Sequence, residues 1–562
     1  MPDLPEFNED KQLKKFAVLK KQEEEDLAQM LSAKYGVSYL DLSAVSINID
    51  ALRVIHEDEA RAAHVAVFNI IDKKIDVAVL APDSSETKEA VDKMKEAGYI
   101  PTIYMVSHES LNKVWNRYKD LSYSFETQGG ALDISNEEIS NLLKNVTSVD
   151  LLKKEIDIVL SAKKSYRISK IFEIILAGAL AMKASDVHIE PEEADVRLRY
   201  RLDGVLTDIL HFDSETFRLL LSRIKLISDL KLNVTGAQDG RFSIKIPDGD
   251  VEVRTSLLPG AYSESVVLRL LNPKATSVDL EGRGIHPRLL KIFLHEINKP
   301  NGMILVTGPT GSGKTTTLYA FLKKVYNPEI KVITIENPIE YHLQGIVQTQ
   351  TDEDTDYTFA AGLRAALRQD PDVIMVGEIR DAETAATAIN AALTGHLVLS
   401  TLHTNNAAGS FPRLMDLGVN PKVITSAINI SIAQRLVRVL CPDCKKETVP
   451  DETQKKIIDS TLEGVADKSY LEGVQKEKIW ISVGCDKCNK LGFLGRIGVF
   501  EAILADEAIE KVVLTNPSER EIRKAAEPQN ILTMKQDGII KVLQGTTSMD
   551  ELARVIDLEK EE

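Results

Sequence analysis

Met303-Ile304-Leu305-Val306-Thr307 runs straight into Gly308-Pro309-Thr310-Gly311-Ser312-Gly313-Lys314-Thr315-Thr316. The first five residues form an apolar run of strand length. The glycines spaced ahead of Lys-Thr complete a P-loop pattern, which predicts a buried strand, a tight loop and a helix in that order. Gly308, Gly311 and Gly313 let the backbone wrap closely enough for amide N–H groups and the positive end of the helix to meet phosphate oxygens. Pro309, Thr310, Ser312 and Thr316 complete the cradle. Lys314 is placed to neutralise the β and γ phosphates of ATP, and Thr315 to ligate Mg2+. The plainer alternative is a glycine-rich turn ahead of a core helix.

Two more strand ends carry acids. Val373-Ile374-Met375-Val376-Gly377-Glu378 is an apolar strand closing on a carboxylate, the shape of a Walker B segment. The acid usually found at the position of Gly377 is missing, so Glu378 takes the magnesium-side role through a bound water. Ile333-Thr334-Ile335-Glu336-Asn337-Pro338-Ile339-Glu340-Tyr341 ends on two carboxylates about a proline turn. Hydrolysis of a γ phosphate needs a group that orients the attacking water, and Glu340 is the candidate general base, against the alternative of a surface acid.

All four cysteines fall in Cys441-Pro442-Asp443-Cys444 and Cys485-Asp486-Lys487-Cys488. Two such knuckles complete a closed tetrahedral S4 site in which Zn2+ fastens a loop and activates no water. A pair of redox dithiols and an iron–sulfur centre are the alternatives. The 40 residues between the knuckles and the lack of other redox motifs favour zinc.

The chain has 562 residues, enough for two to four domains. Lys and Arg total 69 against 85 Asp and Glu, a net charge of −16, which counts against a nucleic-acid binder. No apolar run reaches the roughly 18 to 20 residues that span a bilayer, and Met1 to Asp10 lacks the apolar core of a secretory signal, so a cytoplasmic location is expected.

Residues 1 to about 25, rich in Lys, Glu and Asp, read as a frayed, solvated helix or tail. A small α/β N-terminal domain is expected over 1–120, with strand-like runs at His64 to Asn69 and Ile75 to Leu80, and a linker over 121–149 around Gly129-Gly130. A middle α/β domain follows over 150–285, with a helix at Ile168 to Lys183. Its strands are Val187 to Glu190 and Val196 to Leu202, where Arg197, Arg199 and Arg201 share one face. The ATPase part is expected over 286–562, including a zinc-binding insert over 441–488 and a helical C-terminal portion. Its strand–loop–helix–strand order predicts a parallel α/β core.

The P-loop, Thr334-Ile335-Glu336-Asn337-Pro338-Ile339-Glu340, Leu363-Arg364 to Arg380-Asp381 and Leu393-Thr394-Gly395-His396 to His403-Thr404-Asn405 come in the order of the Walker A, Asp, Walker B and His boxes of secretion ATPases. Ala184 to Pro191 and Arg254 to Pro259 are similar to that family's middle domain. Over roughly residues 140 to 510 the chain resembles the PilB and GspE motors of type IV pilus assembly and type II secretion. The resemblance implies an α/β, multidomain fold: a RecA-like P-loop core preceded by a PAS-like middle domain and the small α/β N-terminal domain.

It also implies roles. Lys314 and Thr315 bind phosphate and magnesium, Glu340 activates water, Glu378 is the Walker B acid, and His396 and His403 sense the nucleotide state. Arg254 and Arg269 match middle-domain arginines that reach the γ phosphate. For the histidines the alternative is a hydrogen-bonded structural residue, and for the arginines a solvated strand face. Asn337 stands where the family usually has Asp and is assigned no catalytic role. The four-cysteine insert and the N-terminal domain separate the chain from retraction motors.

The resemblance further implies a homo-hexamer at the inner face of the cytoplasmic membrane. It would act on a polytopic platform protein and dock through its N-terminal domain on a membrane-associated partner, with no direct nucleic acid. The leucine-rich motif with which some members bind cyclic di-GMP is not found in residues 1 to 60. The rival readings are a DNA-translocating hexameric P-loop ATPase and a nucleotide-gated scaffold that binds ATP without turnover.

Overall fold

A computed structural model describes residues 24–559, apart from 43–44, 46, 72, 121–125, 128–130, 133–145, 147, 162–166, 233, 247–248, 272–278 and 353–354. Residues 1–23 of the charged segment and most of the expected linker, including Gly129-Gly130, lie outside the described residues. Residues 1–139, 152–176 and 213–232 form one compact unit, and residues 140–151, 177–212 and 233–562 a second.

In the first unit, Val65–Ile71 and Lys74–Val79 pair as an antiparallel hairpin. Ile100–Met105 and Ser38–Tyr39 extend the sheet with parallel pairing. Val65, Val67, Val77, Val79, Leu111 and Trp115 are buried in its core, so the two sequence-predicted strands sit together on one small α/β sheet.

The second unit holds two large sheets. Strands Gln238–Ile246, Gly249–Pro259, Glu264–Leu271, Asp186–Pro191, Val196–Leu202 and Val205–Phe212 lie side by side in that order, each antiparallel to its neighbours. Along Val196–Leu202 burial alternates strictly, as the period of two in the sequence requires. The exposed-side arginines are paired: Arg197 with Asp208, Arg199 with Glu190 and Arg201 with Asp186.

The other sheet has seven strands in the order Val347–Gln350, Val332–Glu336, Val373–Val376, Leu397–Leu402, Gly302–Thr307, Ile428–Leu440 and Phe493–Leu504. All pairs are parallel except the last. Met303 and Leu305 face one hydrophobic core, Ile304 and Val306 the other. Burial on both faces is why this strand reads as an unbroken apolar run, and why the sheet is parallel with helices on each side. Glu336 closes its strand, and the P-loop, Gly377-Glu378 and His403 follow the carboxyl ends of adjacent strands, the edge where such sheets bind ligands.

Between the cysteine pairs, Lys446–Thr448 pairs antiparallel with Ile479–Ile481. The helix Glu452–Glu463 is closed at its start by a reciprocal cap between Asp451 and Gln454. No helix among the described residues is long and apolar enough to cross a membrane.

Candidate functional site

The phosphate loop is shaped by what its glycines exclude. Gly308, Gly311 and Gly313 have φ of +147°, +79° and +86°, a region that side chains disfavour. A Cβ on Gly308 would stand 2.5 Å from the carbonyl oxygen of Gln434, and one on Gly313 2.8 Å from the Gln434 side-chain nitrogen. Gly313 then opens the helix Lys314–Val325 without a capping side chain. Lys314 Nζ donates to the carbonyls of Gly308 at 2.8 Å and Pro309 at 3.1 Å. Burial lowers its pKa, Glu378 opposes that, and Arg435 adds to it. The Ser312 hydroxyl is buried inside the loop with no hydrogen-bond partner among the described residues. An orphaned hydroxyl, an ammonium and a backbone that admits no Cβ form a donor set that fits a phosphate chain.

The two acids of the Glu336 to Glu340 segment have different environments. Glu336 is buried and accepts from Tyr319, from Thr334 Oγ1 at 2.6 Å and from Gln348 Nε2 at 3.0 Å, so its oxygens are committed. Glu340 is partly exposed, and burial raises its pKa against the lowering influence of Arg254 and Arg269. Arg254 Nη2 donates to the carbonyl of Ile339 at 2.8 Å, and its Nη1 lies 3.8 Å from Glu340.

Strand register places Arg241, Arg254 and Arg269 directly opposite one another across three neighbouring strands. Arg269 is held by Asp186 at 2.9 Å, whose carboxyl stays low despite burial because Arg269, Ser185 and Arg201 surround it.

Glu378 ends its strand between Arg380 at 2.6 Å and His403 Nε2 at 3.1 Å. The glycine before it has a steric cause, since a Cβ on Gly377 would meet the carbonyl oxygen of Ile335 at 3.2 Å and Phe359 at 3.4 Å. The two histidines part company. His403 follows the carboxyl end of Leu397–Leu402 and touches Glu378, whereas His396 precedes that strand, bonded through Nδ1 to the carbonyl of Ala391 at 3.1 Å. A strand of this length spans roughly 17 Å, so His396 stands at the opposite edge of the sheet from its own chain's P-loop.

Sequence reasoning passed over Gln434 and Arg435, in the middle of the strand Ile428–Leu440. Gln434 accepts from Thr317 Oγ1 at 2.7 Å. Arg435 Nη2 donates to the carbonyl of Asn405 at 2.9 Å. Two adjacent polar residues, breaking the alternation of the mostly apolar run Ile428 to Leu440, were the available signal.

The four cysteine sulfurs all lie within 4.8 Å of one another, with Cys441–Cys485 at 3.9 Å, Cys444–Cys488 at 3.8 Å and Cys485–Cys488 at 3.7 Å. A tetrahedral ion with metal–sulfur bonds of about 2.3 Å needs sulfurs about 3.8 Å apart. Backbone N–H groups of Cys485 and Gly492 donate to Cys488 Sγ, each at 3.2 Å. Burial raises the Cys488 thiol, but these amides, with the Cys485 and Cys444 side chains, outweigh it and bring the pKa down to about 7. The residues fit a tetrathiolate metal site.

The family model described as type II/IV secretion system protein matches residues 161–554. The type II secretion system ATPase E of Vibrio cholerae serotype O1 is 43% identical over 403 residues, covering 71% of this chain and 77% of that one. The type IV pilus assembly ATPase PilB of Myxococcus xanthus is 34% identical over 543 residues, covering 94% of this chain and 91% of that one. Among solved structures, the ATPase DotB of Yersinia pseudotuberculosis aligns over 69% of this chain and 94% of its own with a TM-score of 0.51 at 19% identity, a likeness of fold. With the P-loop and its acids on one sheet edge and these matches running through both, the chain belongs to the type II/IV secretion system protein family and is one of its ATPases.

Proposed function

We propose that this chain is a motor working as a ring of six at the cytoplasmic face of the inner membrane, where it turns ATP hydrolysis into assembly of pilus or pseudopilus subunits. The observation that carries the reading is the reach of Arg254 from the antiparallel sheet to the Ile339-Glu340 peptide. Like charges opposite one another on a sheet are unfavourable. The row of Arg241, Arg254 and Arg269 makes physical sense where an anion joins it.

The backbone N–H groups of the phosphate loop, Pro309 excepted, and the Lys314 ammonium hold the phosphates, Thr315 and Glu378 stand on the magnesium side, and Glu340 takes the proton of the attacking water. Magnesium, when bound, spreads charge over the β and γ oxygens. Arg254 and Arg269 complete the clamp as the two sheets close, so closure and chemistry depend on each other. His403 reports the state of Glu378. His396, remote from its own P-loop, is assigned to a neighbouring subunit's site. Zn2+ on Cys441, Cys444, Cys485 and Cys488 would fasten the insert and take no part in hydrolysis.

The pilus reading is favoured over secretion by the extent of the matches. The pilus assembly relative aligns with 94% of this chain, the type II secretion relative with 71%. The test is isolation of the chain with its membrane platform protein from cells, with the pilin or pseudopilin system identified by what co-purifies. A ring that turns over ATP yet captures neither platform, and whose turnover rises steeply with added DNA, supports the translocase instead.

A further inference from the structure

The structure assigns Arg435 to the nucleotide site as a phosphate-binding residue, a second fixed positive charge that meets the terminal phosphates of ATP beside Lys314. The inference rests on the ATPase reading above. It starts from strand order: Gly302–Thr307 is flanked on one side by Leu397–Leu402 and on the other by Ile428–Leu440. Thr307 pairs with Ala433 in the latter, so the two residues that follow Ala433 run alongside the start of the phosphate loop. Gln434 supports that loop at two points, with its carbonyl oxygen under Gly308 and its side-chain amide under Gly313.

Arg435 goes further. Its Nη1 lies 3.2 Å from the point where a Cβ on Gly308 would stand, which brings the guanidinium over the first loop glycine. The same group bridges to the segment after His403 through Nη2, at 2.9 Å from the Asn405 carbonyl. Its other hydrogen bonds are long ones, 3.4 Å from Nη2 to the Asn405 side-chain oxygen and 3.5 Å from Nη1 to the carbonyl of Gln434. No carboxylate pairs with it at ion-pair distance among the described residues. Its charge acts on Lys314, whose pKa it lowers, and burial lowers its own against the raising influence of the more distant Glu501.

Two cations held together over a loop of amides repel one another, and a polyanion turns that repulsion into attraction for both. The guanidinium offers planar paired donors that match a phosphate, and a lysine in its place supplies charge without that fork. The hold on Asn405 fixes the side chain from the His403 side, so the residue is tethered at one nitrogen while the other faces the loop.

The test uses the full-length, zinc-loaded ring. Arg435→Gln and Arg435→Lys are compared with wild type for the ATP and ADP dissociation constants, KM and kcat, after gel filtration and thermal unfolding without nucleotide. Arg435→Gln is expected to weaken ATP binding at least tenfold and ADP binding less, with the unliganded melting temperature unchanged and Arg435→Lys recovering part of the loss. Wild-type affinity and KM in a folded Arg435→Gln ring overturn the assignment while leaving the ATPase reading intact, whereas a wild-type ring that does not hydrolyse ATP removes that reading. Should Arg435→Gln fail to fold, the wild-type ring labelled with phenylglyoxal decides. Protection of Arg435 by MgATP supports the assignment, and equal labelling with and without MgATP overturns it.

Discussion

Arg254 donates from Nη2 to the backbone carbonyl of Ile339 at 2.8 Å, which sets its other terminal nitrogen 3.8 Å from the carboxylate of Glu340. One arginine thereby fixes the peptide that carries the candidate base and also biases its charge. Glu336, the other acid of that segment, is tied to three donors and buried, which leaves Glu340 as the carboxylate with oxygens to offer.

Glu340→Gln should lower kcat by ~10²–10⁴-fold while ATP binding persists, the range expected for loss of a general base. Phosphate release and nucleotide affinity measured on the same preparation check it. The substitution should also leave the melting temperature at pH 7.5 equal to or above wild type. Burial raises the Glu340 pKa in the folded chain, so the unfolded chain binds fewer protons and stability falls as pH rises from the unfolded value of about 4.3 through the raised folded value. Glutamine removes that loss. A large drop in melting temperature would show the residue to be structural.

The pH dependence of kcat carries the second prediction. A general base works only when ionised, so turnover should fall on the acid side through the raised pKa of Glu340. Arg254 favours the charged carboxylate and opposes the rise. Arg254→Gln should therefore move the acid limb to higher pH, besides lowering kcat by ~10²-fold or more if, as proposed, its charge meets the γ phosphate. A profile of the variant that keeps the wild-type acid limb would separate Arg254 from Glu340.

The parts of the site that the sequence displays are those made by neighbours along the chain. The P-loop, the Cys-x-x-Cys knuckles and the acids at strand ends are local spacings, and each lies where its pattern puts it. The Arg197, Arg199, Arg201 face was visible as alternation, but its acid partners on other strands were not. What escaped was set by strand order. Gln434 and Arg435 meet the phosphate loop because their strand, more than a hundred residues further on, lies directly beside Gly302–Thr307. His396 and His403 look equivalent on paper, and only the direction of the strand between them puts one beside Glu378 and the other at the far edge.

The cysteine cluster predicts metal content. The protein should carry about one zinc per chain by elemental analysis, and Cys441→Ser with Cys485→Ser should abolish it, because the closed S4 geometry needs all four thiolates. Limited proteolysis should then cut within 441–488, while the P-loop core, on another part of the sheet, keeps its nucleotide affinity. A chain with no metal and an insert as resistant as wild type would contradict the site.

Gly377 offers the sharpest steric test. Restoring the acid that Walker B segments usually carry there, as Gly377→Asp, places a Cβ 3.2 Å from the Ile335 carbonyl oxygen and 3.4 Å from Phe359. The first of these neighbours is backbone of the adjacent parallel strand, and Gly377 N–H bonds to that same Ile335 oxygen at 2.8 Å, so neither strand can retreat without losing the ladder. The cost should be ~1–3 kcal/mol of stability, the range for forcing atoms into a packed core. Turnover should fall rather than rise, because Glu378, next in the chain, would be displaced from Arg380 and His403. Denaturant unfolding and ATPase rates on Gly377→Ala and Gly377→Asp check both parts. A Gly377→Asp chain as stable as wild type and more active would mean that the strand gives way and that the missing acid, not the crowding, governs this position.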